Sequence, residues 1–174
     1  MKHFYIFRRV TLLLIFLFST LISFGQRAGA NMYNPISAGA FPGSSFSNTQ
    51  NNAPSNGFGN DIGNASDDIY YRVTVNAAGN LTLSTCSSSF DTYIYLLDNS
   101  GNIIASNDDN NVCAGTLQAG LTMHVAAGTY YIVSEGYGSN YGNITTDISL
   151  NPDQVVNNGP DPGYTYVIDS LYSI

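Results

Sequence analysis

Positive charge is scarce in this chain. Of 174 residues only five are Lys or Arg, against twelve Asp and Glu, for a formal charge of −7. Lys2 is the single lysine and Glu135 the single glutamate; tryptophan is absent, and histidine occurs only at His3 and His124. Nucleic-acid affinity rests on Lys and Arg neutralising phosphates, so nucleic acid and anionic lipid are poor partners for such a surface. Nucleophilic hydrolysis needs a base beside its nucleophile, yet His124 is the one histidine beyond the N-terminal segment and no Gly-x-Ser-x-Gly elbow occurs. His124 lies in an alternating apolar segment, where a structural or exposed strand histidine is the plain reading. Paired carboxylates for glycoside cleavage are defined by their separation in space, which spacing in sequence leaves open. No catalytic residue is assigned, and the chain is expected not to be an enzyme.

The one long apolar run is at the N-terminus. Lys2, Arg8 and Arg9 precede a run from Val10 to Phe18 that resumes at Leu21 and Ile22, and small residues at Ser23 and Gly25 flank Phe24. Positive, apolar and small residues in that order form a signal peptide, with cleavage expected after Gly25 and Gln26 as the new N-terminus. The run is too short to favour a permanent span, and no Cys at the cleavage region suggests a lipoprotein. Removal of residues 1–25 takes three of the five basic residues and no acidic one; Arg27 and Arg72 remain against twelve carboxylates, a charge of −10. Secretion or cell-surface display is the expected destination, and the remaining length fits one domain.

Cysteine is equally sparse. Cys86 and Cys113 both fall in the exported portion, where an oxidising compartment favours pairing, and they are expected to form a disulfide. The alternative, a reactive or metal-bound thiol pair, has no His-rich or Cys-x-x-Cys context behind it.

Sustained helical periodicity is missing after the signal. Residues 26–60 are rich in Asn, Ser, Gly and Pro with scattered aromatics, and read as irregular extended chain, partly joining the fold through one edge strand near 35–41. From Ile69 onward, short β-branched and aromatic runs are separated by turn residues at regular intervals, the pattern of a sandwich or barrel. Strands are expected at 69–75, 81–86, 92–97, 103–106, 121–126, 129–135 and 144–150. In Tyr71, Val73 and Val75, or in Leu81, Leu83 and Thr85, a period of two sends one face to a core. The segments 76–80, 98–102 and 127–128 supply positive φ and local side-chain hydrogen bonds, as hairpin connections require. Residues 61–150 form the expected core of the domain. Residues 151–174 are a Pro- and Gly-containing linker with an apolar segment at 164–168, either a last strand or the start of a further region.

Four blocks in order carry a family resemblance: Ser66-Asp67-Asp68-Ile69-Tyr70-Tyr71-Arg72-Val73, Phe90-Asp91-Thr92-Tyr93-Ile94-Tyr95-Leu96-Leu97-Asp98, Ala105-Ser106-Asn107-Asp108-Asp109 and Ala127-Gly128-Thr129-Tyr130-Tyr131-Ile132-Val133. Over about residues 34–150 the chain resembles the bacterial pre-peptidase C-terminal domain, and the signal ending in Phe24-Gly25-Gln26 looks like those of the Bacteroidetes. The resemblance implies an all-β, jelly-roll-like antiparallel β-sandwich attached to secreted proteases or other large exported proteins, where it aids targeting, solubility or polymer binding. It implies no active site. Family members that bind calcium can do so through an acidic linker ahead of the sandwich, and residues 26–60 contain no Asp or Glu, so that site does not carry over.

Oxygen ligands for a hard cation are nonetheless plentiful: Asp61, Asp67, Asp68, Asp91, Asp98, Asp108 and Asp109 sit among many Asn residues. Calcium accepts such ligands with flexible geometry, and Asp67, Asp68, Asp108 and Asp109 are the expected set, with calcium the one expected cofactor. Asx turns and exposed caps are the plain alternative. The loop 98–102 starts like an EF-hand, but Gly101 is misplaced and the bidentate Glu is missing. The second candidate is the Gly-rich segment 135–143, in which Tyr137 and Tyr141, aided by Asn140, have the character of residues that stack on sugar rings or grip a peptide. The alternative there is a long hairpin whose tyrosines fold back over the sandwich end. Asn64-Ala65-Ser66, Asn80-Leu81-Thr82 and Asn143-Ile144-Thr145 match an acceptor sequon, a pattern common by chance in an Asn-rich chain. The expected function is that of a secreted, non-catalytic accessory domain that binds an extracellular polysaccharide or protein polymer. The competing expectation is a spacer or folding aid within a larger exported protein, such as a protease or other hydrolase whose catalytic domain lies outside this sequence.

Overall fold

The computed structural model describes residues 26–43, 45–109, 112–114 and 117–154. The expected signal segment 1–25 and the apolar segment 164–168 lie outside these residues. Nine strands follow in order: β1 (Ile36–Phe41), β2 (Phe46–Asn51), β3 (Ile69–Val75), β4 (Gly79–Ser84), β5 (Thr92–Leu97), β6 (Ile103–Asn107), β7 (Gly120–Val125), β8 (Gly128–Gly136) and β9 (Asn143–Pro152). They make two facing sheets, one of five strands in the order β1-β3-β8-β5-β6 and one of four in the order β2-β9-β4-β7. The expected all-β sandwich is the observed fold, with one departure from purely antiparallel pairing: β1 runs parallel to β3.

Alternation explains the four-stranded sheet. Leu81 and Leu83 of β4, and Ile144 and Ile148 of β9, are wholly or almost wholly buried, while Thr82, Ser84, Thr145 and Ser149 between them face outward. The inward set meets Phe41, Tyr71, Val73, Ile94, Leu96 and Ile132 of the other sheet in a single core. Each such aliphatic side chain contributes roughly 1.5–3 kcal/mol by leaving water. In the five-stranded sheet, alternation fails at β5 and at the end of β8 because both faces are covered. Tyr70, Tyr95, Leu97 and Val133 form a second cluster on the outer face, overlain by Met32 and Ile62 from the chain before β3. A hydrogen bond from Tyr70 N to Gly29 O (2.9 Å) ties that N-terminal segment down.

Residues 26–60 thus depart from the expected irregular chain with one edge strand. They contain β2 as well as β1, and β2 pairs antiparallel with β9 from Phe46↔Ile148 to Asn51↔Asn143. The sequence Phe-Ser-Asn-Thr-Gln-Asn has one apolar residue, so its extended form comes from the ladder on β9 and not from its own burial pattern. The expected disulfide is present between Cys86 and Cys113, joining the chain after β4 to the segment before β7. His124 is exposed on β7, its Nε2 3.1 Å from both carboxylate oxygens of Asp153, which suits the structural reading. Asp98 is consumed by its turn: Oδ1 accepts from Ser100 N (2.8 Å) and Asn102 N (2.9 Å), and Oδ2 from Asn102 Nδ2 (2.9 Å). Those bonds, that from Asn102 foremost, hold its carboxyl below the usual range.

Candidate functional site

One end of the sandwich gathers most of the unusual chemistry. β8 ends at Gly136, and the chain turns through Gly138, at φ +63°, before entering β9 at Asn143. The loop lies on the Phe90 ring: a Cβ on Gly142 would stand 2.9 Å from that ring, and one on Gly136 would overlap the Asn140 carbonyl oxygen. Glycine is required at those two positions because the backbone approaches where a side chain would have to be. The result lifts Tyr137 and Tyr141 outward, with 46% and 62% of their surface exposed, and Asn140 is exposed beside them. The expected alternative of tyrosines folded back over the sandwich is not what the structure has.

The backbone of this loop is pinned by three residues from the chain before β3. Ser66 Oγ accepts from Gly136 N (2.9 Å) and donates to Asn140 O (2.7 Å). Asn52 donates from Nδ2 to Ser66 Oγ (2.7 Å) and to Asp67 O (3.0 Å), and its Oδ1 accepts from Gly142 N (2.9 Å). Asn64 Oδ1 accepts from Gly138 N (3.1 Å). Asn52 and Ser66 are buried, so each bond replaces water for a group that water does not reach. None of the three was a sequence candidate for this site. Ser66 opens the first block of the family resemblance and ends a sequon, neither of which points to this loop, and its loop partners lie 70 and 74 residues away.

Beneath the loop sits a buried carboxyl pair. Glu135 accepts from Asn64 N (3.0 Å), Asn64 Nδ2 (2.6 Å) and Tyr95 Oη (2.7 Å). Asp68, its neighbour, accepts through Oδ2 from Asp61 N (2.6 Å) and Ile62 N (2.9 Å), while its Oδ1 has no donor among the described residues. Burial, and next to it the charge of Glu135, push the Asp68 carboxyl up to about 8. The Tyr95 hydroxyl is pushed upward by burial and by its bond to Glu135.

The four aspartates expected to share a cation do not come together as one set. Asp68 belongs to the buried pair, and Asp67 lends its backbone oxygen to Asn52. Asp108 and Asp109 gather instead with Asp91, their carboxylate oxygens all within 4.8 Å, the one such group of three among the described residues. Hairpin register is the cause: Ile94 of β5 is opposite Asn107 of β6, which brings the residues just before β5 against those just after β6. Oδ1 atoms of Asp91, Asn107 and Asp108 are shielded from solvent and receive no hydrogen bond among the described residues. Burial raises the Asp91 and Asp108 carboxyls, Asp109 adding to both. This cluster adjoins the tyrosine loop, since Tyr137 N donates to Asp91 O (3.0 Å). Asp91 and Asn107 could have been found from the sequence by folding the expected hairpin about residues 98–102.

The pre-peptidase C-terminal domain of a Bacillus anthracis collagenase overlays with a TM-score of 0.46 at 15% identity, covering 67% of this chain and 93% of that one. A periplasmic inhibitor of g-type lysozyme from Aeromonas hydrophila gives a TM-score of 0.40 at 11% identity, covering 67% of this chain and 96% of the other. No curated protein matches. The sequence profile of the bacterial pre-peptidase C-terminal domain matches residues 67–136, from the aspartates ahead of β3 to the glycine that closes β8. The likeness to the bacterial pre-peptidase C-terminal domain thus extends over residues 67–136.

Proposed function

We propose that this domain is a secreted, non-catalytic binding module that holds its parent protein or cell on an extracellular polysaccharide or protein polymer through Tyr137, Tyr141 and Asn140. Domains of its family are accessory parts of secreted proteins such as collagenase, and no helix among the described residues is long and apolar enough to cross a membrane. The observation that carries the reading is the pair of exposed tyrosines on a loop whose backbone is fixed at Gly136, Gly138, Asn140 and Gly142. Aromatic side chains already displayed on an ordered loop lose little entropy on binding. Replacing both tyrosines by alanine should abolish retention on insoluble cellulose, chitin or fibrillar collagen, whichever retains the wild type, without moving the unfolding midpoint. Equal retention of the variant rejects this site, and no retention of the wild type on any polymer favours the spacer reading.

A second reading, calcium binding, is favoured by the unpartnered oxygens of Asp91, Asn107 and Asp108. With Asp109 they form an oxygen-only set of the kind a hard cation takes, and bound calcium would relieve the mutual repulsion of the carboxylates. Titration calorimetry should record calcium uptake that Asp108→Asn removes, and chelation should lower the melting temperature. Absence of heat together with unchanged melting on chelation rejects it.

A further inference from the structure

The outer face of the four-stranded sheet carries a different surface. On the exposed sides of β2, β9, β4 and β7 the residues are Ser, Thr and Asn, with Asp147 and His124 as the only titratable groups and no aromatic or long cationic side chain. Six of these groups satisfy one another across strands. Thr49 pairs with Thr145 (2.8 Å between hydroxyls), Thr82 with Thr122 (3.0 Å), and Asn51 with Asn143 (2.8 Å).

One row does not. Asp147 of β9 is in register with Ser47 of β2 on one side and Ser84 of β4 on the other. Residues directly opposite on adjacent strands project to the same side of the sheet, with Cβ atoms roughly 4.5–5.5 Å apart. A carboxylate thus stands between two hydroxyls, and no side-chain hydrogen bond engages any of the three among the described residues. The row lines a shallow cavity of about 280 Å³ whose wall also includes Ser45, Thr82 and Ser149, while the side chains of Phe46 and Ile148 beneath it pack into the core. That volume is just below the range of ligand pockets, which run from ~300 Å³ upward, and suits a single sugar ring more than a larger ligand.

We infer that the Ser47–Asp147–Ser84 row is a second binding site, separate from the tyrosine loop, that takes one ring of an uncharged sugar chain. An ionised carboxylate is an acceptor with two oxygens, so it can receive both hydroxyl protons of a vicinal diol in charge-assisted bonds. Serine hydroxyls rotate to donate or accept and so match the remaining ring oxygens. Asp147 disfavours anionic glycans. A cationic partner would gain more from several carboxylates or an aromatic face, and this cavity offers one carboxylate and no exposed ring.

Amide chemical-shift mapping on the disulfide-intact protein tests the inference with cellohexaose, mannohexaose and N-acetylchitohexaose as neutral probes and chitosan hexamer as the cationic one. At least one neutral probe should shift the amides of Ser47, Ser84, Asp147 and Ser149. Asp147→Asn, which keeps the shape of the side chain, should weaken that binding about tenfold or more. Tyr137→Ala/Tyr141→Ala should leave it unchanged, so failure of this site and failure of the tyrosine site are read separately. Shifts confined to residues 136–143, no shifts with any neutral probe, equal affinity in Asp147→Asn, or binding of the chitosan hexamer alone would each overturn it.

Discussion

Replacing Asn52 by alanine tests whether the buried polar network, and not the sheets alone, fixes the tyrosine loop. Asn52 has no exposed surface, and its side chain makes three hydrogen bonds, to Ser66 Oγ, Asp67 O and Gly142 N. Ser66 keeps two further partners, Gly136 N and Asn140 O, so its loss is partial. Gly142 N and Asp67 O lose the side-chain partner that no water replaces, at about 1–3 kcal/mol each. The expected loss is therefore about 2–6 kcal/mol, a substantial share of the ~5–15 kcal/mol that holds a domain folded. Urea unfolding should show a lower midpoint with unchanged slope, and Thr49→Ala, which removes only an exposed hydroxyl pair, should change stability by less than about 0.5 kcal/mol. Hydrogen exchange adds a local readout: the amides of Gly136, Gly138 and Gly142 should lose more protection than those of β4. A loss below about 0.5 kcal/mol, or unchanged protection across 136–142, would refute the reasoning.

Two other outcomes follow from the same geometry. Reducing the Cys86–Cys113 bond, or replacing both cysteines by serine, frees a closed loop with a sequence separation of 27 and should cost about 3–4 kcal/mol in the chain-entropy estimate, read as a drop in urea midpoint that reductant does not deepen in the double variant. Asp68 binds its proton more tightly folded than unfolded, so its contribution to stability is present at low pH, declines as pH rises from the ordinary 3.8 towards about 8, and is fully lost above that. Asp68→Asn should flatten that dependence, and an identical pH profile of unfolding midpoints in wild type and variant would count against a raised Asp68 carboxyl.

Much of the sandwich was legible because strand alternation is a local property. Tyr71, Val73 and Val75, or Leu81 and Leu83, announce an inward face within five residues, and the observed strands 69–75 and 92–97 have the expected bounds. β2 was not legible, since its polar sequence becomes a strand only where β9 offers a ladder about a hundred positions away. The exposed tyrosines could be named from the sequence, as glycine-rich loops have a clear composition. Their supports, Asn52, Asn64 and Ser66, could not, because an Asn in an Asn-rich segment looks like any other until the chain brings a bare amide to it.

Charge, cysteine number and the succession of short alternating runs determined by themselves that this would be an acidic, disulfide-containing β-sandwich. Only the tertiary structure decided which carboxylates meet. Asp108 and Asp109 join Asp91 because a hairpin register places them there, and Asp68 joins Glu135 because two strands of one sheet lie side by side. Hydrophobic alternation acts over neighbouring residues and is written in composition, whereas the placement of a polar group depends on which distant backbone it reaches.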